Sequence, residues 1–327
     1  MSFSFRTLSV VFVIALLQGC GPSSEFEAQS LLDNNQQEFG VLSWQADTET
    51  VDGFHIERLS ISPDIGEVDF NGSLLVYPSQ TTTYTLLVET RNDNGLVYDY
   101  TRKATVYVGA RVDYDLIEDD NLRACLAENG ATHLQQFDVI YCLDRGIAQL
   151  TGIEQFQLTQ SVSLDNNLLT DLSPLTALPA LKVVSVSGNE LDTLDSLSLS
   201  TSVRNIVAHN NRLFDLSALS QMPQLVNLAL DNNQISDLGP LQTIPQLQGL
   251  SVSHNRIEDV SPLTLNTELL ALDFSNNPVR TGITALSTLT KATLIRSENN
   301  GAVLCLDYAR LVLNLGPVVL FDQCRLF

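Results

Sequence analysis

The chain has 327 residues, 44% hydrophobic and 17% charged, with a formal net charge of −21. That length admits two or three domains with sizeable cores. The acidity removes nucleic acid from the partners, because phosphate binding needs a basic stripe that the chain lacks, and anionic membrane surfaces would repel it too.

In chain order, the first element is an export signal. Arg6 precedes an apolar run over residues 8–17. The run is shorter than the ~20 residues a bilayer span needs and has the length of a signal h-region. It ends in Leu17-Gln18-Gly19-Cys20, which resembles the lipobox of bacterial lipoproteins. The resemblance implies a signal peptide over 1–19, lipid attachment at Cys20, and membrane partnership through that lipid. Gly21, where enteric lipoproteins kept at the inner membrane carry Asp, implies the outer membrane of a bacterial envelope, on its periplasmic or its exposed face. Residues 20–39 are polar and read as a flexible tether.

Residues 40–110 read as all-β: short alternating runs separated by turn signals. Asn71-Gly72 predicts a hairpin between 67–70 and 73–77, and Asn94-Gly95 predicts another turn. Trp44, the only tryptophan, is expected in the core. Gly72-Ser73, Val76, Pro78 and the run 81–86 are similar to bacterial immunoglobulin-like domains. That implies a small sandwich, serving here as a spacer.

Residues 113–146 read as a cap. Asp119 and Asp120 offer N-caps to a short helix through Leu122, Cys125 and Leu126, and 137–142 read as a strand. Ile140 and Cys142 stand 22 residues before Val162 and Leu164, in register with the repeats that begin there.

Over 147–300 the chain repeats. Asn167, Asn189, Asn211, Asn233, Asn255, Asn277 and Asn299 recur at intervals of 22 residues, each preceded by apolar residues at fixed offsets. A period held over many units means one structural unit stacked on itself. Strand residues alternate inward and outward, and a carboxamide, both donor and acceptor, suits the buried turn after each strand. The Asn positions are therefore a structural ladder. The unit, best seen at 223–246 with Leu225, Leu228, Leu230, Asn233, Ile235, Leu238, Pro240 and Leu241, resembles the 22-residue leucine-rich repeat of internalin type. The resemblance implies a solenoid with a parallel concave sheet and short convex turns or 3₁₀ segments. Residues 301–327 read as a second cap: helical spacing over 306–315, a stop at Gly316-Pro317, and a strand at 318–321.

Five cysteines are present. Assigning Cys20 to lipid leaves four, which allow three connectivities. The local one, Cys125–Cys142 and Cys305–Cys324, is simplest and would staple both caps in an oxidising compartment. Neither pair has metal-ligand spacing and the histidines are scattered, so no metal or cofactor is expected.

The register places Ser163, Asp165, Ser185, Asn205, Val207, His209, Asn227, Asp231, Ser251, Ser253, Asp273 and Ser275 on the concave face, with Thr293, Ile295 and Ser297 on the last rung. Over these rungs the face is small and polar, without the Trp, Tyr and Arg that dominate binding hot spots. Enzyme motifs are absent: no G-x-S-x-G, Walker loop, G-x-G-x-x-G or H-E-x-x-H occurs. The expected function is non-catalytic binding of a protein, peptide or glycan. The alternatives are an envelope scaffold without a dedicated ligand and an enzyme acting on envelope polymers.

Overall fold

A computed structural model describes residues 24–32, 38–46, 54–128, 130–300, 311–312, 314–315 and 319–320. The apolar run at 8–17, Cys20, Cys305 and Cys324 lie outside them. Two compact units emerge: residues to 112 with 130–136, and residues 113–129 with 137 onward.

The first unit packs two antiparallel sheets. One has the order β1 (Ser24–Leu32), β2 (Glu38–Ala46), β5 (Asn71–Val76); the other runs β4 (Gly66–Val68), β3 (Phe54–Ser62), β6 (Thr82–Asn92), β7 (Tyr100–Val106). Leu42, Trp44, Leu59, Ile61, Leu86, Val88 and Val106 fill the space between them. In a constant-type immunoglobulin sandwich the fourth strand joins the first two; here it pairs with the third.

Two expectations are corrected. Residues 20–39 are not all tether, since Ser24–Leu32 pairs along its whole length with β2. Polar composition hides an alternation there: Phe26 is core and Ala28 packs against it, while Glu25 and Gln29 face solvent. The sandwich therefore begins before residue 40. Asn71-Gly72 is also not a hairpin turn, because its flanking strands belong to different sheets. The Asn71 side chain accepts the Ala46 N–H (3.1 Å). Gly72 leaves room for Trp44, whose ring a Cβ would approach to 2.7 Å. The hairpin lies earlier, between β3 and β4, where Asp64 and Gly66 take positive φ.

The second unit opens on a 3₁₀ turn (Tyr114–Leu116) followed by α1 (Asp120–Ala127). Asp119 alone is its N-cap, accepting from Asn121 N and Leu122 N. Its second oxygen accepts from Ala148 N (2.8 Å) and Gln149 N (3.1 Å), tying the helix to the first repeat. Asp120 pairs instead with Arg123. Cys125 and Cys142 are disulfide-bonded, with Cα atoms 5.9 Å apart, so the helix is stapled across the end of the array. Such a cap covers apolar surface that a terminal repeat leaves bare.

Among the described residues, nine parallel strands come next: β8 (Val139–Tyr141), β9 (Ser161–Ser163), β10 (Val183–Ser185), β11 (Asn205–Val207), β12 (Asn227–Ala229), β13 (Gly249–Ser251), β14 (Ala271–Asp273), β15 (Leu294–Arg296) and β16 (Val319–Leu320), in sequential order. Short 3₁₀ turns return the chain along the convex side. Ile140, Val162, Val184, Ile206, Leu228, Leu250, Leu272 and Ile295 stack as one buried column. Burying each aliphatic side chain contributes about 1.5–3 kcal/mol.

The carboxamide ladder closes each turn. Asn233 Nδ2 donates to Leu230 O and, one rung back, to Ala208 O (both 2.9 Å), and its Oδ1 accepts from Leu213 N (3.0 Å). Asn167, Asn189, Asn211, Asn255 and Asn277 repeat the arrangement. The residue before each takes positive φ: Asn166, Gly188, Asn210, Asn232, His254 and Asn276.

Asn299 does not belong to this ladder. Up to β14 each strand pairs at an offset of 22 residues, but Leu272 pairs with Ile295, an offset of 23. The extra residue is Gly282. Thr281 still bridges Asp259 in the old register, and Gly282 then turns at φ +89, where a Cβ would lie 2.2 Å from Ser261 N. Asn299 is exposed and takes the positive φ of the preceding position, as Asn276 does. Asn300 takes the buried position instead, its Oδ1 accepting Asn277 N (2.9 Å) while its Nδ2 has no hydrogen-bond partner among the described residues.

Asn233→Ala leaves Leu213 N unpaired and removes one of the two side-chain donors from each of the Ala208 and Leu230 carbonyls, and should cost about 2–4 kcal/mol. Asn299→Gly, which keeps the positive φ free of a Cβ penalty, should stay within about 0.5 kcal/mol, as exposed substitutions do. Urea unfolding of both variants checks this; similar losses would contradict the assignment of Asn300 to the ladder.

Candidate binding face

The concave sheet shows three outward columns. The first runs Val139, Ser161, Val183, Asn205, Asn227, Gly249, Ala271, Leu294, and the second Tyr141, Ser163, Ser185, Val207, Ala229, Ser251, Asp273, Arg296. The third lies two residues past the second, just beyond the strands: Asp165, Ser187, His209, Asp231, Ser253 and Ser275.

The third column is bound up in the array. Asp165 Oδ1 accepts Ser187 N (2.6 Å), Ser187 Oγ accepts His209 N (3.2 Å), Asp231 Oδ1 accepts Ser253 N (2.7 Å), and Ser275 Oγ accepts Glu298 N (3.1 Å). Each acceptor caps an N–H of the next rung that the three-residue strands leave unpaired. Ser185 Oγ and Ser251 Oγ donate to Asp165 and Asp231 from the second column. Asp273 Oδ1 accepts Ser275 N (2.9 Å). Asp165, His209, Asp231, Ser253 and Ser275, expected on the binding face, thus form a lateral ladder, and Ser275 is buried at 6% exposure.

His209 Nδ1 lies 2.9 Å from Asp231 Oδ2 and 3.2 Å from Asp231 N. One protonation state cannot serve both contacts. A proton on Nδ1 is donated to the carboxylate, and a bare Nδ1 accepts the N–H; the shorter contact favours the first. Burial would raise the Asp231 pKa, but hydrogen bonds from His209, Ser251 and Ser253 outweigh it and hold the carboxyl at about 2.

The first column carries no such duty, and in the second only Ser185, Ser251 and Asp273 share it. Asn227 presents an exposed carboxamide, with its Nδ2 donating to Asn205 Oδ1 (2.7 Å), and Gly249 leaves room beside it. Val183, Val207, Ala229 and Ala271 give a shallow apolar floor. Two features depart from the expected face. Tyr141 (68% exposed) and Val139 (50%) stand on the first rung, so an aromatic anchor is present. The register that sets Ile140 and Cys142 inward implies as much. At the other end the slip at Gly282 turns Ile295 and Ser297 inward and Leu294 and Arg296 outward. Among the described residues, no three His, Cys, Asp or Glu side chains are grouped to hold a metal ion.

No family model matches the chain, and no curated protein matches it at a significant level. Solved structures do. Internalin C2 of Listeria monocytogenes aligns over 66% of this chain and 99% of its own, at 20% identity and a TM-score of 0.57. The second unit is a leucine-rich-repeat solenoid. Another internalin of that organism, InlF, aligns over 67% of this chain and 73% of its own, again at 20% identity and a TM-score of 0.57. At this identity the leucine-rich-repeat likeness is one of fold. On the convex side of the solenoid, Asp171, Asp215 and Asp259 each accept both the N–H and the hydroxyl of the serine two residues on. These aspartates order the return turns.

The Asp231 carboxyl is held below its ordinary value of 3.8 in the folded protein. Its contribution to stability is complete above the unfolded pKa and is lost as pH falls through the folded value of about 2. Thermal melts from pH 5 down to about 2 should fall less steeply for Asp231→Asn than for the parent. Parallel curves would place the acid sensitivity elsewhere.

Proposed function

We propose that the protein is a non-catalytic lipoprotein of the bacterial cell envelope whose concave sheet holds a protein, peptide or glycan. One observation carries this reading. The first two columns present outward side chains across eight consecutive rungs, while the third is occupied in holding the rungs together. The surface left over mixes amide and hydroxyl groups with small aliphatic side chains and has an aromatic residue at its first rung. Tyrosine is enriched among binding hot spots, so the partner's closest contacts are assigned to the Tyr141 end. Carboxamides at Asn205 and Asn227 supply both donors and acceptors for an extended polar ligand.

Anchoring is the second part of the proposal. With lipid on Cys20, only Gly21-Pro22-Ser23 precede β1, a reach of about 14 Å at most. The sandwich would then lie against the outer-membrane surface, where a long tether would have let it range. The disulfide joining Cys125 and Cys142 fits an oxidising compartment such as the periplasm.

Binding is tested by affinity capture from envelope extract, comparing the parent with Tyr141→Ala and with Asn227→Arg. A partner retained by the parent should lose at least about tenfold in affinity with either variant, as hot-spot truncation does. Partner binding unchanged by both would move the site off the concave sheet, and no captured partner together with no growth defect would favour the scaffold role. Lipidation is tested separately by mass spectrometry of the N-terminal peptide from membranes: acylated Cys20 is expected, and an unmodified Cys20 or cleavage elsewhere would remove the anchor.

A further inference from the structure

The strongest unassigned feature lies in the first unit, at the free edge of β5. Sheet edges invite pairing with other chains, and proteins protect them with charge, short strands or covering segments. Three of the four edges here are protected. Strand β1 carries Glu25 and Glu27, and its Ser30 Oγ is engaged by Tyr107 N (2.8 Å). Strand β4 is three residues long and carries Glu67. Strand β7 carries Arg102 and Lys103. Strand β5 has none of these devices: no charged residue occurs between Asp69 and Glu89, and among the described residues only β2 pairs with it.

Its side chains are exposed as well. Leu75 (54%) and Tyr77 (57%) point outward beside Val41 and Phe39, with the Tyr77 and Phe39 rings 5.8 Å apart. Leu74, on the core-facing side, is still 38% exposed. The solvent face of an antiparallel sheet is ordinarily polar.

We infer that β5 is a self-association edge, and that its occupant is β5 of a second copy of this chain. A two-fold axis through the strand would pair β5 antiparallel with its mate, joining two three-stranded sheets into one of six. The interface is then isologous: each copy's Leu75 and Tyr77 meet the other's on one face, and the two Leu74 side chains cover each other on the opposite face. An uncharged edge whose apolar side chains match their own mates under a two-fold axis points to an identical partner, since it offers no charge for a different protein to complement. Copies carrying −21 each repel, so they meet only where the surface is neutral, and the longest uncharged stretch of the sandwich is this one. An edge of six residues with a modest apolar patch falls at the low end of interface sizes, which makes the dimer concentration-dependent.

Sedimentation velocity on the full chain as isolated from cells tests this. A dimer should appear with rising concentration. Raising the salt should strengthen it, since salt screens the repulsion between copies. Leu75→Lys should leave a monomer at every concentration while melting at the parent's temperature. A parent that stays monomeric throughout, or a dimer that survives Leu75→Lys, overturns the proposal. To guard against a lysine that disturbs the fold, a photo-crosslinking amino acid at position 75 gives a second reading. A product of twice the chain mass is expected, and a product with a different protein would refute the identical partner.

Discussion

Everything in the repeat array depends on how one problem is solved on rung after rung: the chain leaves each strand by turning inward, and its N–H and C=O groups are buried where no water can satisfy them. Aliphatic side chains alone could fill the interior, but they would leave these groups unpaired at a cost of about 1–3 kcal/mol each. The asparagine carboxamide supplies a donor and an acceptor from one side chain, and its position sets where every other residue of the repeat must lie. The aliphatic column, the positive-φ residue before each ladder asparagine and the three-residue strands all follow from that placement.

The same constraint divides the concave face into two kinds of surface. Strands of three residues are too short to pair every backbone group near them, so the residues just beyond their ends are drawn into capping. Asp165, Ser187, Asp231 and Ser275 differ chemically but share an acceptor pointed at the next rung, and His209 donates to the Asp231 carboxylate beside it. A substitution there changes stability before it changes recognition. Ser185, Ser251 and Asp273 apart, the strand residues have no such duty, and any partner of this face must be read by them.

Much of the fold is legible in the sequence, because the ladder asparagines and the aliphatic positions are chemically uniform and evenly spaced. Tracing the register back to Cys142 identifies the first rung and the cap, and the structure pairs that cysteine with Cys125. Legibility fails where one residue type serves two purposes. Asn299 keeps the interval of 22 residues only because two asparagines stand together, and the slip introduced by Gly282 moves the ladder onto Asn300. Asn71-Gly72 carries a strong turn signature, yet it supplies an acceptor for Ala46 and a space for Trp44. Strand β1 is hidden because every second residue is polar, which is also what a tether looks like. The lateral ladder leaves no sequence signature because Asp and Ser share an acceptor but no side-chain identity.

The carboxamide ladder has a direction. Each asparagine reaches back to a carbonyl of the rung before it: Asn233 to Ala208, Asn255 to Leu230, Asn277 to Val252. A rung is therefore completed by its C-terminal neighbour and never by its own residues alone. A chain synthesised from its N-terminus always carries one unfinished rung at its growing end, closed only when the next repeat arrives. The disulfide-stapled cap provides the fixed first surface, and assembly proceeds from it like a zip with one stop. Fraying in the finished molecule runs in the opposite sense, because removing the last rung unfinishes the one before it.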